Sequence, residues 1–208
     1  MPVPVVELIT FTPSAAYVAT PDASLQDFFG ILAQTNGHIE SYHGLQVENL
    51  RQGHIVILWE THQHHVSLQQ SSHYQALREA LLVAVEGPRQ MVHVLVQHDC
   101  SRVFKAPHVG IATNTVKDAK NIGLLKHHLD TLVSQSYDEH VVSHTCGRVL
   151  EDEKKIVLFA GWKSHEHRES LRQNRPAELE KLIGNINDLA DVEVRHVRFK
   201  KYSGVNSA

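Results

Sequence analysis

The sequence predicts an α+β fold made of two tandem units, each with the order β-α-β-β-α-β. Three observations predict it. One stretch occurs twice: Trp59-Glu60-Thr61-His62-Gln63-His64-His65-Val66-Ser67-Leu68 returns as Trp162-Lys163-Ser164-His165-Glu166-His167-Arg168-Glu169-Ser170-Leu171, displaced by 103 residues. The same ungapped register pairs Gly44 with Gly147, Glu48 with Glu151, Asn49 with Asp152 and Gln70 with Gln173. A long period repeated only twice indicates duplicated domains rather than a solenoid, and 208 residues leave room for two domains. Finally, each half alternates apolar runs of strand length with segments of helical periodicity.

Taken in order, Val5 to Thr12 is a mostly apolar run ending at Pro13 and reads as a strand. Residues 13–23, with two prolines and small side chains, read as a loop. Ser24 is a candidate N-cap for a helix carrying Leu25, Phe28, Phe29 and Leu32, with Asn36-Gly37 as its stop. Residues 38–48 read as a strand kinked at Gly44, and Asn49 to Gly53 as a turn. His54 to Trp59 is a strand rich in branched residues. Thr61 can cap a helix starting near His62. Tyr74, Leu77, Leu81 and Leu82 continue a helix that Gly87-Pro88 ends, and alternation from Val92 to Val96 gives a last strand.

The second copy repeats the order. His108 to Thr115 is a strand, and Asp118 to Val133 a helix with Leu124, Leu125, Leu129 and Leu132 on one side. Val141 to Leu150 and Ile156 to Trp162 are strands around a charged turn. Ser164 caps a helical segment, Pro176 restarts a helix to about Leu189, and Val192 to Phe199 is the final strand. Each half is thus a ferredoxin-like split βαβ unit. Residues 1–99 form the first repeat, 100–107 a linker, 108–202 the second repeat and 203–208 a tail expected to be disordered. A unit with helices on one sheet face must bury the other, so the two repeats are expected to pack sheet to sheet as a pseudo-dimeric α+β barrel.

Composition excludes several classes. The net charge of −3, with Lys and Arg dispersed, gives no footprint for nucleic acid. No apolar run approaches the ~20 residues of a membrane helix, and the first residues lack the pattern of a signal peptide. Two cysteines, Cys100 and Cys146, make no disulfide framework; a reduced, cytoplasmic protein is expected. The anomaly is histidine, with 17 residues, a group that titrates near neutrality.

Particular motifs carry a resemblance. Tyr42-x-Gly44-x-x-Val47-Glu48-Asn49, Trp59-Glu60-Thr61 and Ser72-His73-Tyr74-Gln75-Ala76-Leu77 in the first copy, with Gly147-x-x-Leu150-Glu151-Asp152 and Trp162-Lys163-Ser164 in the second, resemble the dimeric α+β barrel proteins of the antibiotic-biosynthesis-monooxygenase type in a fused, tandem form. Proteins of this kind include cofactor-free monooxygenases, haem-degrading enzymes, polyketide cyclases, isomerases and stress-responsive barrels. The resemblance implies that Trp59 and Trp162 face a cavity inside the barrel. In the phenol monooxygenases an Asn four residues before the Trp and a Tyr six residues after it handle the substrate. Those positions hold Ile55 and His65 in the first copy, and Leu158 and Arg168 in the second. The haem-degrading branch would need its helical Trp at Leu68 or Leu171 and its iron ligand at Arg78 or Lys181, so haem is not expected.

The chemistry is expected to centre on histidine. His65 stands where relatives point a side chain at the substrate, and an imidazole near its pKa suits general acid–base work. His62 and Asn114 are the further catalytic candidates. Trp59, Trp162, Ile55, Ile57, Leu158, Tyr42, Tyr74 and Arg168 are candidates to hold an apolar substrate. His62, His64, His65 and His73 match no established metal spacing, and no phosphate loop or dinucleotide fingerprint appears, so neither metal nor cofactor is expected. The expectation is a cofactor-independent enzyme of secondary metabolism that takes a small apolar, polyketide- or terpenoid-like molecule and performs cyclisation, isomerisation or elimination. A cofactor-free monooxygenase and a non-catalytic binding or stress-responsive barrel are the alternatives. Neither nucleic acid nor membrane is an expected partner, and a homodimer of the whole chain is compatible with this fold.

Overall fold

The computed structural model describes residues 4–97, 100–135 and 139–203. The expected tail, apart from Ser203, lies outside them. The chain divides into two compact units. The first runs up to His93 and takes back the segment from Lys200; the second is Val94–Phe199.

In the first unit, β1 (Val5–Pro13), β2 (His38–Leu45), β3 (Gly53–Trp59) and β4 (Val85–Val96) form the order β4-β1-β3-β2, with β3 antiparallel to both β1 and β2. Helices α1 (Ala15–Ala19), α2 (Pro21–Ala33), α3 (His62–Gln69) and α4 (Tyr74–Leu81) complete it. Leu25, Phe28, Phe29 and Leu32 are the buried stripe of α2, as their spacing predicts. Thr61 caps α3 by accepting the His64 amide at 3.3 Å.

Local expectations fail where side-chain chemistry was misassigned. Residues 13–23 are not a loop. Ser14 accepts the Tyr17 amide at 3.1 Å and caps α1, and Pro21 opens α2 at a position that needs no N–H. Ser24, expected as the cap, sits inside α2 and bonds back to the Pro21 carbonyl at 2.9 Å. Gly44 continues the β2–β3 register; the irregularity is between His38 and Glu40. Gly87-Pro88 does not terminate the helix but lies within β4, with Gly87 at φ +70°.

The second unit repeats the pattern. Its sheet order is β8-β5-β7-β6, from β5 (His108–Val116), β6 (Val141–Val149), β7 (Lys155–Trp162) and β8 (Ala190–Val197). Its helices include α6 (Ile122–Ser134), α7 (His165–Gln173) and α8 (Ala177–Leu189). Val116, Leu125, Leu129, Ile156, Leu182 and Ile186 form the core between sheet and helices. Leu124, expected on the same helix side, is exposed. Val94–Val96, the end of β4, belongs to this unit and pairs β6. Gly147 is required there, since a Cβ would lie 2.0 Å from the Leu95 carbonyl oxygen.

Two expected boundaries shift. Residues 100–107 are not a bare linker: Ser101–Phe104 is a helix, α5, with Val103 and Phe104 fully buried in the second unit. Lys200–Lys201, expected in the second repeat, form β9 beside β2 of the first unit, and Tyr202 packs on Phe29 with ring centroids 4.9 Å apart. Among the described residues, no helix is long and apolar enough to cross a membrane.

Candidate functional site

Pairing fixes which side chains share a sheet face. Glu7 pairs with Ile57 and Ile9 with Ile55. These residues and Trp59 lie on the face covered by Phe28 and Leu32 of α2 and Leu77 and Leu81 of α4. The tryptophan face therefore points to the helices of its own unit, not into a sheet-lined barrel interior as expected. Alternation tells which residues share a face, but not which face the helices cover. Tyr42 pairs with Val56 and so lies on the opposite face from Trp59, outside the tryptophan site. His43 takes the helix-covered face instead. It lies 3.0 Å from the Tyr17 hydroxyl and 3.2 Å from Asp22, and burial outweighs that carboxylate in holding its pKa below the usual value.

His65 is buried, and it is not alone. Its Nδ1 lies 2.6 Å from His93 Nε2 and 3.7 Å from Glu7 Oε2. Its ring stacks on Trp59 at a centroid distance of 5.4 Å, and the Trp59 indole N–H donates to Glu7 Oε2 at 2.8 Å. His62 meets the His93 ring edge-on at 4.8 Å. None of Glu7, Trp59, His65 and His93 exposes more than 3% of its surface. The space beside them is about 40 Å³, with Ile57, Tyr74, Arg78 and Arg89 on its wall. That holds about one water, not a polyketide-sized molecule. Ile55 is fully buried but does not line this space. His64 and His73 do not join the cluster. They line a broad groove of about 780 Å³ beside α2, and His64 bonds the Thr61 hydroxyl at 3.1 Å.

The second unit inverts the balance. Its corresponding cavity measures about 290 Å³, within reach of the lower end of ligand pockets, ~300 Å³. The repeat register explains the difference. Glu7, Ile9 and Ile57 of the first wall become Gly110, Ala112 and Ala160 in the second. Ala112 and Ala160 line the larger cavity, whereas Ile9 and Ile57 line the smaller one. His65 becomes Arg168, while His93 and Trp59 remain as His196 and Trp162.

Four sequence candidates meet in this cavity: Asn114, Leu158, Trp162 and Arg168. The Asn114 amide nitrogen donates to the carbonyls of Ala112 at 3.1 Å and Ile156 at 3.2 Å, so its side-chain oxygen is the atom it can offer a ligand. Arg168 donates to Glu169 at 2.6 Å, Arg172 to the same carboxylate at 2.8 Å, and Arg175 to Glu180 at 3.0 Å. All three arginines line the cavity. Among the described residues, His144 is the one imidazole lining it, and its Nε2–H donates to the Leu132 carbonyl at 3.2 Å.

Nearby, His108 stacks on His196 at 5.2 Å. Burial, then the charges of His196, His165, Arg168 and Arg198, depress its pKa to about 4. Cys146 is a buried thiol, pushed by desolvation up to about 12, so it serves as a core residue. Sequence reasoning had no place for Glu7, His93, His144, Arg172 or Arg175. The large-to-small change at three wall positions was visible in the register, and it marks the open cavity.

No protein-family profile matches the sequence, and no curated protein shows significant sequence similarity to it. Solved structures do match. A Fusobacterium nucleatum protein proposed to be a monooxygenase superposes with a TM-score of 0.73 at 11% identity, covering 96% of this chain and 94% of its own. An anthrone oxidase-like protein gives 0.73 at 10% identity over 100% and 97%. A proposed monooxygenase from Lactobacillus acidophilus gives 0.66 at 9% identity over 97% and 95%. At these identities the likeness concerns fold. With the repeat seen in both sequence and strand register, it shows that the chain shares the tandem α+β fold of these solved structures.

Proposed function

We propose that the chain binds a small apolar metabolite bearing an acidic group, and that the cavity of the second unit is its working site. The observation that carries this reading is the cavity itself. It holds about 290 Å³ between sheet and helices, with an apolar wall, one Trp, one buried Asn and three arginines. Apolar walls supply affinity by removing surface from water, and a few polar groups fix orientation. A guanidinium favours a carboxylate or an enolate-like oxygen over a neutral group.

A second reading adds chemistry to binding. It keeps the cyclisation, isomerisation or elimination expected from the sequence, but moves the proton-transfer role from His65 to His144. His144 lines a space that a metabolite can enter. Arg168 would then stabilise the oxygen on which charge develops, and the Asn114 side-chain oxygen would accept from a hydroxyl of the ligand. Oxygenation without a cofactor needs the same deprotonated intermediate, so the monooxygenase alternative uses the same residues.

The binding test uses 8-anilinonaphthalene-1-sulfonate, an apolar anion, followed by its own fluorescence and by Trp162 emission. Its displacement by 9-anthracenecarboxylate follows. Ala112→Ile with Ala160→Ile rebuilds the wall of the first unit and should abolish binding while the far-UV spectrum is kept. Binding that survives both substitutions would place the ligand elsewhere and remove the proposal.

A further inference from the structure

We propose that Glu7, His65 and His93 form a binding site for one late first-row divalent cation, Zn²⁺ or a close relative, in the first unit. The three offer a carboxylate oxygen and two ring nitrogens that all lie within 4.8 Å of one another. Two imidazoles and a carboxylate are a donor set for Zn²⁺ or Fe²⁺ rather than for Mg²⁺ or Ca²⁺, which prefer oxygen alone.

The surroundings suit a held ion. Glu7 is oriented by the Trp59 indole N–H at 2.8 Å, and His65 is fixed against the Trp59 ring; such outer partners lock ligands in place. The approach of His65 Nδ1 to His93 Nε2, at 2.6 Å, requires a proton between two acceptor-capable nitrogens. An ion would displace that proton and spread the pair. The adjoining 40 Å³ leaves room for a water as an additional ligand. Arg78 and Arg89 line the same space, so the extra ligand is best an anion or hydroxide that offsets the remaining positive charge.

The second unit is a built-in control. Its counterparts are Gly110, Arg168 and His196, which leave one ligand of three. The site therefore belongs to one copy and is independent of the metabolite cavity.

The test uses the full chain carrying Trp162→Phe, so that Trp59 is the only indole. The protein is stripped with a chelator and titrated with Zn²⁺, then with Co²⁺, whose paramagnetism quenches a nearby indole. One ion per chain should bind, and Co²⁺ should quench Trp59 in step. Glu7→Gln and His93→Gln should each weaken binding about tenfold or more, whereas His196→Gln should leave it unchanged. Absence of binding up to submillimolar metal, or binding that leaves Trp59 emission untouched, would overturn the site. So would affinity indifferent to both ligand substitutions. If those variants do not fold, the Trp59 response with the intact ligand set decides alone.

Discussion

Glu7 accepts the indole N–H of Trp59 at 2.8 Å, and the second copy has lost this bond. Its counterpart is Gly110, where an added Cβ would sit 3.3 Å from Trp162 Nε1. Loss of this carboxylate, with the change of Ile9 and Ile57 to Ala112 and Ala160, separates the closed polar cluster from the open cavity. Glu7→Ala strands a buried indole donor and enlarges the small cavity of about 40 Å³ that Glu7 lines. It should cost about 3 kcal/mol in urea denaturation. Gly110→Ala meets tight but yielding contacts and should stay within about 1 kcal/mol. Equal costs for the two substitutions would mean that the copies are packed alike.

Arg168 should act on ligands more than on stability. Its ion pair with Glu169 is partly solvated, and such pairs contribute little, about 0 to 1 kcal/mol. Arg168→Gln should leave Tm nearly unchanged and weaken 9-anthracenecarboxylate about tenfold, the value of a hydrogen bond to a charged group. Binding of the uncharged hydrocarbon anthracene should be unaffected. An equal loss for both compounds would show that Arg168 shapes the wall rather than reading charge.

Cavity closure offers a test of packing. Ala160→Ile alone, which restores the residue at the matching position of β3, adds apolar volume to the cavity that Ala160 lines. Filling an apolar void raises stability by about 0.5 to 2 kcal/mol. A loss of more than about 1 kcal/mol in the same denaturation experiment would show that the space is not available to a side chain.

The fold was legible because the repeat was written twice in one register, and because strand and helix periods survive in both copies. Thr61 and Ser164 were readable as caps because capping is a local event between a hydroxyl and an amide three residues on. The site was less legible. Glu7 and His93 lie 58 and 28 residues from His65, so only sheet pairing unites them. Tyr42 was misplaced because a strand gives two faces without naming the covered one. His65 was read as a group facing substrate because its own helix says nothing of Ile9 and Ile57, which fill the space beside it.

Burial is the chief cause that pushes the folded pKa values of His38 and His108 down to about 4, against an ordinary 6.5. Each is neutral when folded and protonated when unfolded between those values. The unfolded chain then binds more protons, so stability must fall as pH drops from 6.5 towards 4. The limit is about 1.4 kcal/mol per group and pH unit. Above pH 6.5 both states are mostly neutral, and these two groups add no slope. The repeat supplies the diagnostic variant, since Val5 occupies in the first copy the place of His108. His108 also buries its Nε2 without a hydrogen-bond partner among the described residues. His108→Val should therefore be tolerated at pH 7.5, and should flatten the fall in Tm between pH 6.5 and 4. Thermal melts across that window check it, and a variant as acid-sensitive as the parent would show that His108 is already protonated in the folded chain.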